Sequence, residues 1–273
     1  MNSRLLSGLG ILLVVGLLTF TFGLPGRLTE LGNLVQQEET ARNPEIKNDV
    51  PETLQEFKET VERQAKEYPE TFFLSADIER KEIALTFDDG PDRVNTPQIL
   101  DILKDKEVKA TFFLLGKNVE QFPELTKRIK EEGHQLANHS WTHPNFEELD
   151  NEQILNQELK PTSEIIEELT GRYPRTVRPP FGTIRDDTIE FLGERDWSIV
   201  NWSVDSFDWH LQQEEPEEII AEVTNNHHPG GIILMHDGEI NKITVQALPE
   251  IIEDLKNKQY EFKTVNQLLF NQN

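Results

Sequence analysis

Two aspartates stand side by side at the end of the apolar run 83–87, in Thr86-Phe87-Asp88-Asp89-Gly90-Pro91, where a tight turn begins. Further along, His139 and His143 lie four apart in His139-Ser140-Trp141-Thr142-His143. In a helical turn such a pair projects both rings to one side and can share a metal ion. With a carboxylate it makes a two-histidine, one-carboxylate set that leaves a coordination position for water, which a Zn²⁺-like ion acidifies from its bulk pKa to about 7. A carboxylate pair beside the ion divides the labour, one binding it and the other removing a proton from the water. Plainer readings exist for each part, since Asp-Asp-Gly-Pro is ordinary turn chemistry and His-x₃-His pairs arise by chance. What tips the balance is the company. Arg178-Pro179-Pro180-Phe181-Gly182, Asp205-Ser206-Phe207-Asp208-Trp209 and Leu234-Met235-His236-Asp237 each close a similar apolar run, and turn chemistry does not demand Arg and His there.

Short strands have to carry these clusters. Apolar runs fall at 83–87, 108–115, 135–138, 176–178, 197–204, 231–235 and 260–264. Segments of helical period lie between them at 96–106, with Ile99, Ile102 and Leu103 inward, and at 119–132, 151–170, 187–195, 216–226 and 245–257. Strand-then-helix alternation implies parallel strands with helices outside, so the expected class is α/β, a deformed (β/α) barrel of about seven strands. The polar clusters then gather on the face formed by the C-terminal strand ends, where barrels build active sites.

The chain has 273 residues, 36% of them hydrophobic, enough for one catalytic domain, expected at 79–273. Its formal charge of −23, from 50 acidic and 27 basic residues, disfavours nucleic-acid binding. With no cysteine, any metal falls to His and carboxylate ligands. Residues 5–24 carry no charge and are flanked by Arg4 and Arg27; a stretch of about 20 apolar residues is long enough to span a bilayer. Residues 1–25 are therefore expected to be a signal anchor or a signal peptide, placing the rest outside the cytoplasm, membrane-anchored or secreted if cleaved. Residues 26–78 read as a polar, acidic linker, with Leu54, Phe57 and Val61 on one face of a short helix between Pro51 and Pro69.

In this order and spacing, the five polar segments resemble the signature motifs of the polysaccharide deacetylases, carbohydrate esterase family four, over about residues 81–270. The resemblance implies an incomplete barrel and a metal-dependent hydrolase that removes N-acetyl groups from amino-sugar polymers, though some relatives cleave O-acetyl esters of xylan. It implies Asp88 as catalytic base, Asp89, His139 and His143 as metal ligands, and Arg178 as the partner that orients the base. The backbone N–H of Phe181 matches an oxyanion donor, with Phe where Tyr is usual. His236 becomes the general acid, Asp208 the carboxylate that orients it, and Trp209 and Leu234 the walls of an acetyl pocket. The implied cofactor is a divalent ion, Zn²⁺ first and Co²⁺ as alternative, and the implied substrate is peptidoglycan or a chitin-like oligomer, through N-acetylglucosamine or N-acetylmuramic acid units. An acetylxylan-type esterase and a non-catalytic glycan-binding relative are the competing readings; the complete residue set speaks against the second. His134, His210, His227 and His228 match no motif and read as loop or surface residues, while Asp205 and Asp237 are left between supporting the site and hydrogen-bonding strand ends.

Overall fold

In the computed structural model, which describes residues 54–210, 215–238 and 242–271, the apolar runs become strands. They are β1 (Phe72–Phe73), β2 (Glu82–Asp88), β3 (Thr111–Leu114), β4 (Gln135–Asn138), β5 (Thr176–Val177), β6 (Ser198–Val200), β7 (Val204–Asp205), β8 (Ile232–His236) and β9 (Glu261–Phe262). Their order is β1-β6-β5-β4-β3-β2-β8-β7, with β9 paired to β2, and every ladder is parallel. β6 and β7 lie near opposite ends of that path, yet Val200 and Val204 are joined by a link that reaches at most about 14 Å. The sheet must therefore curl round on itself. β1 and β7 do not pair with each other, so the curl is a deformed, incomplete barrel.

Two departures from the expected seven strands have local causes. The run 197–204 splits into β6 and β7 because the carbonyls of Val200 and Asn201 accept hydrogen bonds from the Arg178 side chain at the point where the ladder breaks. The two-residue β1, paired with β6, is too short and too isolated in polar sequence to show a period. The helical segment 119–132 is likewise two helices, Gly116–Gln121 and Pro123–Glu131, because Phe122 is non-helical and Pro123 begins a new first turn. Within 151–170, a π-helical stretch, Ile154–Leu159, interrupts the α-helix.

Alternation along the strands decides what faces the barrel interior. Ile83, Leu85 and Phe87 belong to the core under the outer helices, with Ile99, Leu103, Ile251 and Leu255. Ala84 points the other way, into a cluster with Phe113, Ala137, Val200 and Ile232, closed below by Val265 and Leu268 of the C-terminal helix Val265–Phe270. Thr86 and Asp88 continue that inner face upward, in register with Leu234 and His236 of β8. One pattern thus gives an apolar floor and a polar mouth.

The segment 5–24 expected to anchor the chain lies outside the described residues. Among the described residues, no helix is long and apolar enough to cross a membrane. The amphipathic helix foreseen before Pro69 is present as Leu54–Glu67, and it packs on the barrel. Val61 and Gln64 are buried, and Phe57 stacks on Trp202 with ring centroids 5.7 Å apart. Gln64 donates to the Ile184 carbonyl at 2.8 Å, and Arg63 forms a fork with Asp186 at 3.0 Å. The packed structure therefore begins before residue 79. Gly182, at φ +72°, fits beneath this helix because a Cβ there would stand 2.7 Å from Trp202 and 2.9 Å from Phe57. Phe57→Ala is expected to destabilise the fold by about 1–3 kcal/mol and Phe57→Leu by less, as measured by denaturant unfolding; no change for the alanine variant would show the helix to be energetically idle.

Candidate active site

Each of the five clusters stands at a C-terminal strand end. Asp88 and His236 are the last residues of β2 and β8, and Asp205 ends β7. His139 follows β4 and Arg178 follows β5. Arg178 has no exposed surface, an arrangement that demands a partner for every donor. Its Nη1 donates to Asp88 Oδ1 at 2.7 Å and to Thr86 Oγ1 at 2.9 Å, while Nε and Nη2 reach the carbonyls of Val200 and Asn201, both at 3.0 Å. The guanidinium also lies over the Phe113 ring, 4.1 Å from its centroid. Burial pushes the Asp88 carboxyl above its ordinary range, and the charge of Arg178 opposes that rise.

His139 and His143 come together as the spacing predicts, but on a loop rather than a helical turn. Ser140 and His143 take left-handed backbone angles, φ +75° and +67°. The rings meet edge to face with centroids 5.0 Å apart. His139 Nδ1 faces the carbonyl of Arg178 at 2.8 Å; a carbonyl only accepts, so the proton is assigned to Nδ1 and Nε2 presents a lone pair. Burial, and then the neighbouring His143, pull His139 down to about 3. Burial also lowers His143, against the charges of Asp89 and Asp88.

Asp89 Oδ1 lies 3.6 Å from Nε2 of both histidines, too far for a hydrogen bond. It is buried without a hydrogen-bond partner. Among the described residues, Asp89, His139 and His143 form a group whose ligand atoms all lie within 4.8 Å of one another. Two neutral imidazoles and an orphaned carboxylate oxygen converging in this way fit a divalent cation with N and O ligands.

On β8, the strand next to β2, His236 is held twice by Asp208. Its Nδ1 contacts Oδ1 at 2.7 Å and its backbone N–H donates to Oδ2 at 2.8 Å. Thr244, a residue that sequence patterning does not single out, donates to the same Oδ2 at 2.5 Å. Burial works against a charged His236, but the charge and hydrogen bond of Asp208, with Asp89 and Asp88 behind them, outweigh it and raise the group to about 10. The imidazolium is the resting form at neutral pH.

Leu234, 2% exposed, is the register partner of Asp205. Asp205 Oδ1 accepts from the Trp209 indole at 3.2 Å and the Phe207 N–H at 2.8 Å, so Asp205 ties Trp209 through its carboxylate and sits beside Leu234 in the β7–β8 ladder. Phe181, at φ +60°, is 58% exposed with its ring 4.7 Å from that of His143. Asp237 is buried beneath Gly90, where a Cβ would stand 2.3 Å from its Oδ2. Burial first, against a hydrogen bond from Thr96, and then Asp89, Asp88 and Asp92 raise it to about 8. Among the four histidines outside the motifs, His134 departs from expectation. It is 3% exposed, packed edge-on against Phe112 with Nδ1 accepting the Ala110 N–H, because the turn into β4 sets it beside the start of β3.

With this geometry in place, comparison with known proteins is informative. The family model for polysaccharide deacetylases matches residues 75–200. A peptidoglycan-N-acetylglucosamine deacetylase of Bacillus cereus is 43% identical over 71% of this chain and 70% of its own length. The peptidoglycan-N-acetylmuramic acid deacetylase PdaC of Bacillus subtilis is 40% identical over 71% of this chain, which spans only 40% of that longer protein. Among solved structures, a peptidoglycan N-acetylglucosamine deacetylase in complex with an N-oxidanyl-benzamide is 41% identical, with a TM-score of 0.69, covering 72% of this chain and 91% of that one. Fold, motif order and relatives agree, and the chain belongs to the polysaccharide deacetylase family.

Proposed function

We propose that this chain is a metal-dependent peptidoglycan deacetylase, hydrolysing the N-acetyl amide of N-acetylglucosamine or N-acetylmuramic acid units to acetate and a free amine. The observation that carries the reading is the meeting of two held groups beside one cluster of potential ligands: Asp88 gripped by Arg178 and His236 gripped by Asp208, register partners on neighbouring strands, next to Asp89, His139 and His143. A divalent cation bound by those three side chains, Zn²⁺ by preference, supplies Lewis-acid polarisation and an acidified water.

The chain's own residues do the rest. Asp88, its orientation fixed by Arg178, takes the proton as water oxygen bonds to the acetyl carbon. The Phe181 N–H, on the strained turn beside His143, donates to the oxyanion that develops on the carbonyl. His236, charged at neutral pH, gives its proton to the departing nitrogen as the C–N bond breaks, which an amide needs because an unprotonated amine anion is a poor leaving group. Trp209 and Leu234 wall the acetyl methyl, and the exposed Phe181 ring offers its face to a sugar. The charge-free segment 5–24 would tether the domain at the outer face of the membrane, within reach of the cell wall.

The direct test is acetate release by the full chain from peptidoglycan and from N-acetylglucosamine oligomers, with acetylated xylan alongside. Release from the first two, abolished by chelation and restored by Zn²⁺, is expected; release from xylan alone would move the reading to an esterase. Asp88→Asn is expected to lower kcat by about 10²–10⁴-fold. The alkaline side of the pH profile follows from His236: its proton is present well above neutrality and is lost as pH rises toward 10. Asp208→Asn removes the charge that holds it, so the alkaline limb of kcat/KM is expected to fall by about 1–3 pH units; an unmoved limb would assign the acid to another group.

A further inference from the structure

The loop that carries the two histidines is held in a conformation it would not adopt alone. Two of its five residues, Ser140 and His143, are left-handed without being glycine, a state that persists only where surrounding contacts over-determine it. Each N–H of the loop has a partner. His139 donates to the Leu114 carbonyl, Ser140 to Asn138 Oδ1 at 2.8 Å and His143 to Ser140 Oγ at 2.9 Å. The remaining two, from Trp141 and Thr142, both go to one oxygen of a distant side chain, Glu158 Oε2, each at 2.8 Å. Its other oxygen, Oε1, accepts from Thr142 Oγ1 at 2.9 Å.

Glu158 is 7% exposed and lies in the π-helical stretch Ile154–Leu159. One extra residue in a turn rotates the flanking residues by about 100° relative to an uninterrupted α-helix. Here Ile154, Leu155 and Leu159 stay in the core while the Glu158 carboxylate meets the loop. The stretch is tied down on both sides: Thr162 Oγ1 donates to the Glu158 carbonyl at 2.8 Å, and Asn138, the residue before His139, donates to the Leu159 carbonyl at 2.8 Å. The Glu158 carboxylate bonds to the two residues just before His143 and not to either histidine, so it acts on the span between them.

We propose that Glu158 is a positioning residue for the metal centre: by clamping the backbone of Trp141 and Thr142 it sets the separation of His139 and His143, and thereby the affinity for a divalent cation. The proposal rests on the reading of Asp89, His139 and His143 as a cation site. Groups that orient metal ligands from behind typically contribute about 10–100-fold in affinity.

The test is Zn²⁺ affinity, by competition with a chromophoric chelator, in the full chain and its Glu158→Ala, Glu158→Gln and Glu158→Asp variants, with the metal-free melting temperature of each. Glu158→Gln keeps an oxygen for the two N–H groups and turns its amide to the Thr142 hydroxyl, so its affinity is expected within about threefold of wild type. Glu158→Ala is expected to lose about 10–100-fold. A variant whose metal-free melting temperature falls while its Zn²⁺ affinity stays at the wild-type value would overturn the proposal, reducing Glu158 to a brace of the fold. Should Glu158→Ala fail to fold, Glu158→Asp decides in the same way, its carboxylate one methylene short of the loop: weakened affinity supports the proposal and unchanged affinity overturns it. A wild-type chain that binds no Zn²⁺ would overturn the cation site itself, and the role of Glu158 with it.

Discussion

The buried contact between Arg178 and Asp88 is the constraint around which the rest is arranged. A guanidinium with no exposed surface loses its hydration, and removing its partner would leave an uncompensated interior charge costing about 3–5 kcal/mol. The barrel meets that demand with four acceptors from two strands and the link after one of them: Asp88 and Thr86 on β2, Val200 on β6, and Asn201 just beyond it. Taking the carbonyls of Val200 and Asn201 out of the ladder ends β6, and that break separates β6 from β7. The same ion pair therefore shapes the barrel's seam and aims the carboxylate that the chemistry needs.

A second consequence follows from burial. The paired histidines and His236 carry unlike charge states although all are largely sheltered from water. Asp89 and the two histidines present acceptors, with the imidazoles kept neutral by burial. His236 is kept charged because Asp208, itself fixed by Thr244 and the His236 N–H, outweighs the desolvation that would neutralise it. Two neutral imidazoles where a cation is to be bound and one charged imidazole where a proton is to be given are what acid-assisted, metal-dependent hydrolysis requires. Backbone strain collects in the same place: Asp89, Ser140, His143, Phe181 and Phe207 all have positive φ, held by hydrogen bonds that rigid strand ends supply.

Much of this was legible in the chain. Short apolar runs and period-3.6 segments marked the strand and helix order because the strands are buried on both faces and each helix along one stripe. The polar clusters stood out because charged residues at the ends of apolar runs are costly unless they act together. What stayed hidden had no local signature. Thr244 lies in an amphipathic helix and looks like any small polar residue there. Glu158 sits in a segment whose helical period runs unbroken along the sequence, and the π-helical stretch that turns it toward the metal loop is a tertiary accommodation.

By itself, then, the sequence determined the parallel α/β alternation, the five motif positions and the residue types able to bind a cation and move protons, because those depend on local period and side-chain chemistry. Only the tertiary structure decided which of them share a site, that His139 and His143 meet on a strained loop instead of a helical turn, that His134 is interior, and that the Leu54–Glu67 helix packs against the turn carrying Phe181. Those outcomes rest on contacts between residues well separated along the chain, such as Glu158 with Trp141, 17 positions apart, and Gln64 with Ile184, 120 apart; pattern along the chain carries no record of such distances.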